Sequence, residues 1–200
     1  MREPVFNLPN LLTLLRLLAV PGVAWLIVRE RWPEAFWLFM AAAVTDGLDG
    51  WIARRFRLTT ALGAAMDTVA DKALGLATLV LLTRAEAIPL WVTLAVLGRD
   101  TIIVSGALTY RGVVGPLEIQ PTWLGKIHTA TEFVMLTLTL AVLAGIVAAE
   151  PFEVGLFMLV FALALGSTVQ YVWLWSAKAR GVSSEAGAAR RRWHRHDTPG

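Results

Sequence analysis

The chain has 200 residues, 56% apolar and 16% charged, against roughly 25% charged in an ordinary soluble domain; this excludes a disordered chain and points to one membrane-embedded domain. No cysteine is present, which rules out disulfide frameworks, zinc–cysteine sites, iron–sulfur clusters and cysteine nucleophiles. The formal charge of +3 comes from basic residues that flank hydrophobic runs or lie in the C-terminal tail, a pattern that fits an anionic bilayer surface and not nucleic acid.

Windows of about 20 residues, the length that spans a bilayer, give six candidate transmembrane helices, so the expected fold is an all-α integral membrane protein. The first, Leu8–Val28, opens Pro9-Asn10-Leu11-Leu12-Thr13-Leu14-Leu15-Arg16. Those interruptions, with no small-residue cleavage site after the run, read as a retained helix and not a signal peptide. Asn10 and Thr13 either cap this helix or serve a ligand. The second and third candidates, Glu34–Arg55 and Gly63–Thr83, carry a group of acids. The fourth, Ile88–Tyr110, contains Gly98-Arg99-Asp100. Gly112, Gly115, Pro116 and Pro121 make the following stretch an ordered or interfacial loop. The fifth, Leu124–Ala149, begins within Pro121-Thr122-Trp123-Leu124-Gly125-Lys126-Ile127-His128-Thr129, and the sixth is Phe152–Ser176. Residues 1–180 therefore form the membrane domain. From Gly181 to Gly200 the hydrophobic period is lost, and this basic segment is expected to be a flexible tail, either lying on anionic lipid or solvated.

Lysine and arginine placement sets the orientation. With six spans, one side carries Arg2, Arg54, Arg55, Arg57, Arg111, Lys126, Lys178, Arg180, Arg190, Arg191, Arg192 and Arg195; the other has Arg29, Arg31 and Arg84 among several glutamates. Both termini are expected in the cytoplasm.

Thr45–Lys72 reads TDGLDGWIARRFRLTTALGAAMDTVADK and places four aspartates within two hydrophobic spans. Each aspartate at mid-bilayer costs on the order of 2.5–3.5 kcal/mol, so four approach ~10–14 kcal/mol unless something compensates them. Asp46 and Asp49 are i, i+3 and Asp67 and Asp71 are i, i+4, so each pair forms a stripe on its helix. At ~1.5 Å per residue, Asp49 and Asp46 lie about 9 and 13 Å in from Arg55, and Asp67 and Asp71 about 6 and 12 Å in from Gly63. Two antiparallel neighbours would bring the four carboxylates to one level. Oxygen donors of this charge suit Mg2+ or Mn2+, and two ions spanning a diphosphate balance four aspartates better than one. Gly47, Gly50, Ala53 and Gly63 either let a ligand approach closely or pack helices. Arg54 can pair with phosphate or carboxylate.

The run Asp46-x2-Asp49-Gly50-x2-Ala53-Arg54-x8-Gly63-x3-Asp67-x3-Asp71 resembles the full signature of the CDP-alcohol phosphatidyltransferases. The resemblance implies a six-helix membrane enzyme, commonly a homodimer, that moves the phosphatidyl group of a CDP-linked lipid to an alcohol and releases CMP. It implies that Asp46, Asp49, Asp67 and Asp71 hold the metals and that Asp71 is also the general base. It further implies that Asp49, Gly50, Ala53, Arg54 and Gly63 contact or shape the CDP site. Thr68 departs from the proline found in many relatives after the third aspartate, a position not needed for ligation.

The opening around Asn10 and Thr13 resembles the PNxLTxxR element of the phosphatidylglycerophosphate and cardiolipin synthase branches, which places both residues near the diphosphate. Gly98-Arg99-Asp100 resembles the cardiolipin synthase version of its element. Glycerophosphate-using relatives show GKxKT where this chain has His128 in place of the second lysine. A weaker, titratable cation suits a phosphodiester acceptor, so phosphatidylglycerol is the expected acceptor and cardiolipin the product. Glycerol 3-phosphate is the alternative, and His128 as a hydrogen-bonding residue at a helix start is the plainer one. Arg99, Lys126 and His128 are the acceptor candidates. An active site facing the cytoplasm, in a bacterial inner membrane, is expected. A different class of function, a cation or proton transporter, would also place acids in a membrane, but leaves their unequal spacing and clustering near one interface unexplained.

Overall fold

A computed structural model of the chain describes the backbone of residues 8–56, 61–113, 122–148 and 152–196, and the side chains of residues 15–45, 70–109, 122–148 and 153–177. Among the described residues every regular element is a helix: α1 (Leu8–Val28), α2 (Trp32–Phe56), α3 (Ala61–Arg84), α4 (Leu90–Val113), α5 (Trp123–Leu143) and α6 (Phe152–His196). Three contain stretches long and apolar enough to cross a membrane, Leu90–Thr109, Trp123–Leu143 and Glu153–Ala177, and Leu15–Val28 is a shorter apolar run. Several hydroxyls within them are satisfied by their own helix. Thr101 donates to the Leu97 carbonyl, Thr137 to that of Phe133 and Thr168 to that of Ala164, each at 2.8 Å, which hides a polar group in an apolar setting. Leu108, Val154, Val169 and Trp173 remain exposed, as lipid-facing helices require.

Three helices end in the same way. The N–H of Glu30 donates to the Ile27 carbonyl and that of Arg31 to Leu26, both at 2.9 Å; Glu86 and Ala87 repeat the pattern on Thr83 and Leu82, and Gly145 and Ile146 on Val142 and Ala141. These paired bonds use the carbonyls a helix end leaves unmet. Each needs a left-handed residue, and Glu30, Glu86 and Gly145 have φ of 55°, 60° and 71°. The Gly145 turn stops α5 at Leu143, six residues before the Ala149 boundary expected from hydropathy. No atom lies within 4 Å of a Cβ built on Gly145, so Gly145→Ala meets only the backbone penalty. It is expected to cost ~1–2 kcal/mol, read as a lowered thermal midpoint in detergent.

The sixth helix runs to His196, well past the predicted Ser176. Apolar periodicity ends there, but Ala186, Ala188, Ala189 and Arg190 are strong helix formers, and the backbone continues as helix to His196.

The chain divides into two compact units, Met1–Thr93 with Thr131–Met158, and Leu94–Ala130 with Leu159–Gly200. In the first, α1 packs against both α2 and α3, and Val23, Phe39, Leu74, Leu79, Met135 and Leu140 are fully buried. Phe39 of α2 stacks on Phe133 of α5, with ring centroids 5.6 Å apart. In the second, Val160, Ala164 and Tyr171 of α6 are buried. A Cβ on Gly106 would overlap the Trp175 ring, so glycine is what lets α4 and α6 approach.

Candidate functional site

The first unit carries the acidic stripes. Asp46, Asp49, Gly50, Ala53 and Arg54 lie on the helical backbone of α2, Gly63, Asp67 and Asp71 on α3, and Asn10 and Thr13 on α1. Of these, Asp71 is the one whose side chain is described; those of the others lie outside the described residues. Because α1 packs against α2 and α3, the helix with the Asn10–Arg16 element contacts both helices with the acids.

Asp71 is held by α1. The Arg16 guanidinium donates from Nη1 to Asp71 Oδ1 at 2.7 Å. The Arg16 side chain is 1% exposed and that of Asp71 33%, so the arginine is sunk in the unit while the carboxylate is partly exposed. A buried arginine needs a charged partner to offset lost hydration, and the aspartate gains a fixed orientation. Sequence analysis gave Arg16 no role of its own. A signal was there: Arg16 lies eight residues into an apolar run, and a charge at such depth demands a partner.

The second unit holds the acceptor candidates. Arg99 on α4 is 7% exposed. Its Nε donates to Ser167 Oγ on α6 at 2.9 Å and its Nη1 to Asp100 Oδ1 at 2.7 Å. The remaining Nη2 points toward the first turn of α5, where a Cβ on Gly125 would sit 3.2 Å from it and 3.3 Å from the Tyr171 hydroxyl. Thr122 caps that turn: its Oγ1 accepts from the Gly125 N–H at 3.1 Å, and its own N–H donates to the Tyr171 hydroxyl at 3.3 Å. Arg99, Thr122, Gly125, Ser167 and Tyr171 thus form a close-packed polar cluster at the N-terminus of α5.

Lys126 and His128 diverge from one another. Lys126 is exposed, with Nζ 5.4 Å from the centre of the Trp123 ring; His128 is fully buried. Residues at i, i+2 do not share a helix face. The structure therefore brings Arg99 to the α5 N-terminus and adds Ser167 and Tyr171, which sequence reasoning missed, while Lys126 turns to Trp123.

Comparison with known proteins matches residues 6–179 to the CDP-alcohol phosphatidyltransferase family model. The chain belongs to the CDP-alcohol phosphatidyltransferase family. It is 31% identical to the cardiolipin synthase (CMP-forming) of Rattus norvegicus over 70% of this chain and 51% of that protein. It is 37% identical to the CDP-diacylglycerol--glycerol-3-phosphate 3-phosphatidyltransferase of Cereibacter sphaeroides over 66% of this chain and 62% of that protein. The protein of the same name from Shigella flexneri is 35% identical over 84% of this chain and 93% of that protein. The chain thus spans about half to two-thirds of the first two relatives and nearly all of the third. Family membership and the apolar helices make it an integral membrane protein.

Proposed function

We propose that this member of the CDP-alcohol phosphatidyltransferase family transfers the phosphatidyl group of CDP-diacylglycerol to a glycerol-type hydroxyl, with phosphatidylglycerol as acceptor and cardiolipin and CMP as products. The observation that carries the reading is the Asp71 carboxylate, bonded by buried Arg16 and itself 33% exposed, at the last position of an eight-residue signature on α2 and α3. An ion path has membrane acids in common with this reading but gives no reason for that spacing.

An alcohol is a poor nucleophile until its proton is taken. Asp71 accepts the proton of the acceptor hydroxyl as the new oxygen–phosphorus bond forms and the bond from phosphorus to the CMP oxygen breaks. Arg16 holds the carboxylate in one rotamer for that step. The donor set Asp46, Asp49, Asp67 and Asp71 is purely carboxylate and fits two Mg2+ or Mn2+ ions, which would neutralise charge on the diphosphate and on departing CMP. Asn10, Thr13, Gly50, Ala53, Arg54 and Gly63 shape the CDP site. Arg99 Nη2 holds the acceptor phosphate, with Lys126 and His128 as the further acceptor candidates. The active site opens to the cytoplasm, and the enzyme acts as a homodimer in the bilayer.

A second acceptor, glycerol 3-phosphate, is favoured by the name of the Shigella flexneri relative, which this chain spans almost end to end. Purified protein supplied with CDP-diacylglycerol, Mg2+ and either acceptor in separate reactions separates the two. Cardiolipin and CMP with phosphatidylglycerol alone is the expected result. Phosphatidylglycerophosphate formed only from glycerol 3-phosphate would overturn the acceptor and keep the rest.

A further inference from the structure

The guanidinium of Arg99 is tied at two of its three nitrogens. Nε donates to Ser167 Oγ on α6 at 2.9 Å, and Nη1 to Asp100 Oδ1 on its own helix at 2.7 Å. Among the described residues nothing accepts from Nη2. Ser167 is fully buried and lies in an apolar helix, where a hydroxyl is easily satisfied by its own backbone. A guanidinium only donates, so the Ser167 oxygen accepts from Arg99 while its hydrogen is left for the Ala164 carbonyl, 3.2 Å away. The serine is thereby fixed in turn, and it presents a lone pair to Nε.

On the opposite side of the guanidinium stands Gly125 of α5. A Cβ there would lie 3.2 Å from Arg99 Nη2, 3.3 Å from the Tyr171 hydroxyl and 3.1 Å from Thr122 Oγ1. Glycine leaves Nη2 its place, and any side chain would displace its neighbours by a few tenths of an ångström. A long, flexible arginine samples many rotamers unless its planar head is held. Here α6 holds it from the Nε side and the first turn of α5 leaves room at Nη2.

We infer that Ser167 is a positioning residue for the acceptor: it fixes the plane of the Arg99 guanidinium so that Nη2 meets the acceptor phosphate. The inference rests on the proposed role of Arg99 and holds for either acceptor, since phosphatidylglycerol and glycerol 3-phosphate both carry a phosphate on the glycerol. The test measures kcat and the KM values of acceptor and CDP-diacylglycerol for the full chain in detergent with Mg2+, using whichever acceptor is turned over. Ser167→Ala is expected to raise the acceptor KM roughly tenfold, the low end for a hydrogen bond to a charged group. Donor KM and kcat at saturating acceptor stay at parent values, as when binding common to ground and transition state is lost. Ser167→Thr keeps the hydroxyl and restores the acceptor KM, and Gly125→Ala, which crowds Nη2 from the other side, raises it with the same split. Arg99→Lys raises the acceptor KM by itself, and Ser167→Ala then adds nothing, because lysine presents no Nε–H to the serine. An acceptor KM that rises in Arg99→Lys but not in Ser167→Ala overturns the positioning role and keeps Arg99 as the phosphate contact. A value unchanged in both overturns the proposed role of Arg99, and the inference with it. A loss in Ser167→Ala spread equally over kcat and both KM values gives the serine a packing role only and also overturns the inference.

Discussion

Asp71→Asn is expected to slow CMP release by about 10²–10⁴-fold, the range that a positioned general base supplies, while the protein still binds CDP-diacylglycerol. Asparagine has nearly the shape of aspartate and retains a carbonyl oxygen where Oδ1 accepts from Arg16 Nη1 at 2.7 Å, so the side chain keeps its orientation. What it loses is the capacity to take a proton. Removing the charge also leaves a guanidinium that is 1% exposed with a neutral partner. Stability should therefore fall, by less than the ~3–5 kcal/mol typical when one partner of a buried pair is deleted outright, and the thermal midpoint with it. Turnover and donor binding measured on the same folded sample separate chemistry from stability. Titrating Mg2+ in both proteins separates proton transfer from ligation, because a mere ligand defect would be rescued at high Mg2+. Turnover near the parent rate removes Asp71 as the base.

The helical spans were legible because a bilayer imposes a length and an apolar composition that can be counted. Leu8–Val28 appears with the same boundaries in the sequence windows and in α1. Other boundaries moved for local reasons that hydropathy does not register. The left-handed Gly145 turn ends α5 early, and alanine-rich, arginine-rich sequence carries α6 past its apolar part. The acids stood out in the sequence because charge in a membrane is costly, and the structure places their positions on the helical backbone of α2 and α3. The Arg16–Asp71 pair was half visible. Arg16 is about 12 Å into its span from Leu8, the same depth as Asp71 from Gly63, so equal depths and opposite charges were on the page, but nothing in the sequence made α1 and α3 neighbours. The setting of Arg99 was not visible at all, since Ser167 lies 68 residues away and Tyr171 still further. The lysine-to-histidine difference at His128 was read as a change of ligand contact, with a hydrogen-bonding residue as the alternative, and the ring is fully buried; one-dimensional spacing does not say which face of α5 is covered.

Arg16→Ala is expected to be nearly as damaging as Asp71→Asn, by a different route. It leaves Asp71 in place as a proton acceptor but removes the group that fixes its rotamer. Misplacing a catalytic group by about 1 Å can cost ~10² in rate, and a loss of that order is the expected result, together with a lowered thermal midpoint. Arg16→Lys restores the positive charge as a single, mobile ammonium in place of a planar fork. It should recover much of the stability and only part of the turnover, an outcome that a purely structural arginine would not give. The decisive comparison is the double substitution. If Arg16 acts through Asp71, then Arg16→Ala in the Asp71→Asn background removes little further activity, because the group it positions no longer takes the proton; residues that act as a unit are non-additive in this way. Losses that multiply instead would place the Arg16 guanidinium on the diphosphate itself, where a buried cation on α1 could serve the donor without reference to the base.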